Sequence, residues 1–160
     1  MKNLAVAAAV MCAASCAART PAPSRAIDGT IVSAWNAQVL AVAEAEDRFL
    51  TLKGLRTAAM MHLAVHDALN AIEPRYATWA APHRAPRADA RAAAAQAAFD
   101  VASAQYPGQR RRFEEEADRW LSRVDDAPAK AAGIALGHRV AAGDLASREG
   151  DGWNAEAEYI

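Results

Sequence analysis

Residues 60–72, Met-Met-His-Leu-Ala-Val-His-Asp-Ala-Leu-Asn-Ala-Ile, are apolar on nearly every side of a helical wheel, yet carry His62, His66, Asp67 and Asn70. Polar side chains on a helix that must be buried need hydrogen-bond partners. The segment is therefore either the organising core helix of a larger protein or a small polar site. The spacing predicts a helix over 52–73, stopped by Pro74. Leu55, Ala59, His62, His66 and Leu69 fall on one side of it. Lys53, Arg56, Met60, Ala64, Asp67 and Ala71 fall on the other.

Four further helices follow from the same reasoning, which makes the expected fold all-α, a bundle of about five helices. A first helix is expected over 30–48, capped by Asp28 or Thr30, with Val32, Trp35, Val39 and Val42 at helical spacing. A break falls at 49–51, and a loop with Tyr76, Trp79, Pro82 and Pro86 covers 75–88. Asp89 caps a third helix over 90–106, ended by Pro107. Its alanine run implies close packing on a neighbour. A fourth, over 109–124, carries the stripe Phe113, Ala117, Trp120, Leu121 and Val124. Arg110, Arg111 and Arg112 stand four residues before Glu114, Glu115 and Glu116, which reads as a solvated face. Asp126 caps a fifth helix reaching about Arg148, with Pro128 in its first turn. Gly133, Gly137 and Ala141 give that helix one smooth face. Residues 149–152 read as a turn. No strands, repeats or phosphate-binding glycine loop are evident.

Composition narrows the partners. The 160 residues include 18 basic and 19 acidic side chains, a balance that gives no electrostatic case for nucleic acid. The hydrophobic fraction of 53% is largely alanine, which favours helix but buries little area, so the core is expected to be thin.

The first residues read as an export signal. Lys2 gives the positive start, 4–14 the apolar run, and Ser15-Cys16-Ala17-Ala18 the small residues at which cleavage would fall. The run is too short to span a bilayer. A second reading is a lipoprotein signal with a lipid anchor on Cys16. Residues 1–18 are thus a signal and 19–28, with Pro21 and Pro23, a linker. Both cysteines, Cys12 and Cys16, lie in or at the edge of the signal, leaving the mature domain without thiol or disulfide. The expected location is periplasmic or extracellular.

Candidate chemistry is sparse. His62 and His66 are one turn apart and can share a metal ion, but Asp67 points about 100° away and is a poor third ligand. His83 and His138 have no supporting spacing. The alternative is that both histidines bond to neighbouring helices. Asp67, if buried, needs a basic partner such as Arg56 or Lys53, or helix-end amides. His66, Asp67 and Asn70 therefore read as a structural polar latch. No catalytic residue and no cofactor-binding residue is assigned.

Residues 35–76 resemble the N-terminal helical region of bacterial proteins related to vanadium-dependent haloperoxidases, in the type 2 phosphatidic acid phosphatase superfamily. The resemblance rests on Trp35-Asn36, on 61–72 with its His-Asp-Ala-Leu-Asn-Ala-Ile piece, and on Pro74-Arg75-Tyr76. Residues 128–137 and the Arg148-Glu149-Gly150-Asp151-Gly152 turn resemble later pieces of the same region. The resemblance implies a helical bundle over 29–160. It also implies a full-length protein that oxidises halide with peroxide and vanadate, or hydrolyses phosphate esters. Family members hold the oxyanion with a lysine, two arginines, a Ser-Gly-His segment and a second histidine. Here Leu136-Gly137-His138 departs from Ser-Gly-His, and the remaining elements have no counterpart. The chain is accordingly expected to be the helical part preceding the catalytic part, inactive by itself. The remaining half of the domain, or a partner, would cover the second helix. The competing expectations are an exported non-catalytic helical binding module, using the face of Gly133, Gly137 and Ala141, and a metal-binding bundle through His62 and His66.

Overall fold

A computed structural model describes residues 29–48, 51–80 and 82–155. Among them are five α-helices, one short 3-10 turn and no strand. The helices are α1 (Thr30–Asp47), α2 (Leu52–Ile72), α3 (Ala90–Gln105), α4 (Arg110–Leu121) and α5 (Ala127–Ala146). The expected signal and linker lie outside the described residues, as does the break at 49–50. No helix of the described residues is long and apolar enough to cross a membrane.

α3 is the axis of the bundle. Residues 92–98 are buried without interruption, as are Phe99, Val101 and Ala102. A helix that is apolar all round belongs in an interior, and methyl-sized side chains let neighbours approach from every side. α5 comes closest. A Cβ built on Gly133 would lie 2.5 Å from the Asp89 carbonyl oxygen, and one on Gly137 2.6 Å from the Gln96 Cβ. Only glycine permits this separation. The pairing of Gly133 with Ala92 and Gly137 with Gln96 also shows that α3 and α5 run parallel. The small-residue face is therefore consumed inside the bundle, which removes it as a docking face for a partner.

The other contacts follow from side-chain pattern. Trp35 and Phe113 are fully buried with ring centroids 6.3 Å apart, joining α1 to α4. Asp89 and Asp126 cap α3 and α5 through their side chains. The α1 cap differs from expectation: Gly29 occupies it without a side-chain bond, and Thr30 lies inside the helix. Thr51 caps α2, its hydroxyl accepting from Gly54 N. At the α1–α2 corner, Arg48 is left-handed at φ 61. There Asp47 accepts from the Thr51 and Tyr106 hydroxyls, at 2.8 and 2.9 Å. Burial first, and Asp47 second, push the Tyr106 phenol far above its ordinary value.

The α4 charge run is not wholly a solvated face. Glu116 is fully buried and accepts from the Trp120 indole at 2.7 Å, from Arg119, and from Gln38 across in α1. Arg112 donates to Gln38 rather than to Glu116. Of the expected pairs, Arg111–Glu115 forms, on the surface. After α5 the chain turns through Gly150 and Gly152, both at positive φ, where a side chain would be strained. That turn brings Asp151 to the Arg56 guanidinium at 3.0 Å.

Candidate functional site

The C-terminal half of α2 carries a dense set of polar side chains bonded to the loop that follows it. Residues 62, 66 and 70 follow each other at i+4 along one line, with Asp67 turned about 100° round the helix. Pro74 ends the helix, and the chain folds back over those side chains. Asn70 Oδ1 accepts the backbone amides of Arg75 and Tyr76, both at 3.2 Å. Its Nδ2 donates to the Tyr76 carbonyl at 3.2 Å. His66 Nε2 lies 3.0 Å from the Ala77 carbonyl and 3.0 Å from Asn70 Nδ2. With its proton on Nε2 it donates to Ala77; without it, it accepts from Asn70.

Asp67 completes the set. Its carboxylate is 1% exposed and accepts the amides of Trp79, at 2.9 Å, and Ala80, at 2.8 Å. The basic partners considered from sequence do not serve it. Arg56 binds Asp151, Gln105 Oε1 and the Arg148 carbonyl. Lys53 lies over the Tyr106 ring at 4.1 Å. Backbone amides hold the charge instead. Three side chains thus bind five backbone positions of the loop, 75–77 and 79–80, on either side of Thr78.

His62 is separate from this group. Its Nε2 donates to Asn36 Oδ1 in α1 at 3.0 Å, and burial lowers its pKa, favouring the neutral ring. The two histidines therefore point to different partners. Among the described residues no group of three or more His, Cys, Asp or Glu is arranged to hold a metal ion. His138 pairs with Asp100 at 2.5 Å, remote from α2's histidines in its bonding.

Arg56 and Arg148 line a shallow groove of about 200 Å³ with Ala59, Met60, Leu63, Asp151 and Trp153. Arg56 is already committed, Arg148 stacks on Trp79 at 5.4 Å, and no histidine lines the groove.

Two buried acids were not singled out from the sequence. Glu116 was hidden in a charge run. Asp144 is 2% exposed and neither of its oxygens has a partner among the described residues. It continues the stripe Gly133, Gly137, Ala141 by one more turn, which is the signal that places it inward.

No family model, no curated protein and no solved structure matches this chain.

Proposed function

We propose that this chain is the N-terminal helical region of a haloperoxidase-related exported protein, and that it acts as a non-catalytic scaffold. The single observation that supports this reading is how α2 is used. In its C-terminal half His66, Asp67 and Asn70 fix its own loop, while the N-terminal turns of that same face, which no loop covers, leave Leu52 81% exposed and Leu55 about half exposed. Ala59 is exposed beside them and Leu63 is half-buried. Such a stripe at helical spacing is a surface for further protein to cover. On this reading the oxyanion chemistry belongs to other residues of the full protein, either vanadate-dependent halide oxidation or phosphate ester hydrolysis.

The test is activity and oxyanion binding by the purified chain. With bromide, peroxide and orthovanadate, or with an aryl phosphate, turnover should not exceed the buffer blank. The vanadium NMR line of free vanadate should stay sharp. Vanadate-dependent halide oxidation by this chain would overturn the scaffold assignment.

A further inference from the structure

Asp144 is buried on α5, a helix that packs on both α2 and α3, and neither of its carboxyl oxygens has a partner among the described residues. A buried carboxyl without a hydrogen-bond partner is costly when charged. The neighbouring groups make the charge harder still to hold. From α2, Asp67 lies close enough to repel it, and His66 Nε2 is 4.0 Å from Asp67. Just past the end of α5, Arg148 attracts it, though its guanidinium stacks on Trp79. From α3, the register set by Gly133 and Gly137 places Asp144 level with Ser103, whose hydroxyl is also buried and unpartnered. The nearest α3 acid, Asp100, is taken by His138 and Gln96. Burial, and then Asp67, raise the Asp144 pKa to about 6.

We propose that Asp144 and Asp67 form a buried carboxyl pair in which protonation of Asp144 locks the 75–80 loop onto α2 and its ionisation loosens it. The coupling is direct. Protonated Asp144 leaves Asp67 free to accept the Trp79 and Ala80 amides. Ionised Asp144 repels Asp67, and the strain is relieved in either of two ways. Asp67 rotates off the amides, or Arg148 leaves Trp79 to pair with Asp144. Each removes one contact that holds Trp79 in place. This inference rests on the α2–α5 contact alone and stands apart from the haloperoxidase reading.

The test is amide hydrogen exchange at Trp79 and Ala80, followed by NMR from pH 5 to 7.5 and corrected for intrinsic exchange. In the wild type, protection at these two amides should fall about tenfold or more across that range. In Asp144→Asn, which keeps the shape without the charge, protection should stay constant. An equal fall in both proteins, or no fall in the wild type, overturns the proposal. Carboxyl carbon NMR of the wild type gives a check that needs no variant. An Asp144 titration with its midpoint near 4, the value of an exposed aspartate, also overturns it.

Discussion

Asp67 on α2 accepts the backbone amide of Trp79, twelve residues further along the chain, at 2.9 Å. That bond, with its neighbour to Ala80, fixes where the loop after Pro74 must run. The helix that looks most like a site is thereby the one that organises its surroundings. His66, Asp67 and Asn70 face the backbone of the loop that follows their own helix.

Replacing the latch acceptors should cost stability in proportion to their burial. Asp67→Ala and Asn70→Ala each strip backbone amides of their acceptors and should destabilise by about 2–3 kcal/mol. His66→Ala, at a half-buried side chain making one bond, should cost about 1 kcal/mol. Urea unfolding followed by circular dichroism measures all three. Equal, negligible losses would mean that the loop is held by something else.

The α3–α5 contact gives a paired prediction on glycines. Gly137→Ala puts a methyl 2.6 Å from the Gln96 Cβ and 2.8 Å from backbone atoms of Ala93 and Ala97. Helices must separate to admit it, at about 1–3 kcal/mol. Gly143→Ala, on the same helix with nothing within 4 Å, should stabilise by about 0.5–1 kcal/mol. Thermal unfolding should move in opposite directions for the two.

Asp144 makes stability depend on pH in an unusual direction. An unfolded aspartate releases its proton near 3.8, whereas the folded one holds it to about 6. Between these values the folded state binds more protons, so this group's contribution to stability falls as pH rises. It is most favourable below about 4 and constant above about 6. Asp144→Asn removes the effect. Its stability relative to wild type should grow by about 2–3 kcal/mol between pH 4 and pH 7. Parallel denaturation curves at both pH values would show that Asp144 titrates normally.

The exposed stripe of α2 should be inert in this chain. Leu52→Glu and Leu55→Glu should change stability by no more than about 0.5 kcal/mol and should reduce binding of a hydrophobic dye. Met61→Ala, on the buried side of the same helix, should cost about 2–5 kcal/mol.

Much of the architecture was legible because alanine-rich periodicity, prolines and acidic caps are local signals. All five helices fall within a few residues of their expected bounds. The smooth face of Gly133 and Gly137 was legible as a close contact. That α3 fills it was not, since nothing local says which neighbour takes it. The need of Asp67 and Asn70 for partners could be read from burial. That the partners are the amides of 75, 76, 79 and 80, rather than Arg56, depends on the path of a loop. Glu116 and Asp144 were missed for a related reason. A carboxylate in a charged run looks solvated until the facing helix is placed, and the stripe that points Asp144 inward does not say what it meets there.

The most direct measurement of the latch is a through-hydrogen-bond scalar coupling between the Trp79 or Ala80 amide nitrogen and the Asp67 side-chain carboxyl carbon. The account predicts a resolved coupling at pH 5 with slow exchange at both amides. Amides that exchange at random-coil rates at that pH, with no coupling to Asp67, would contradict it. α2's polar residues would then have to be sought in some other role.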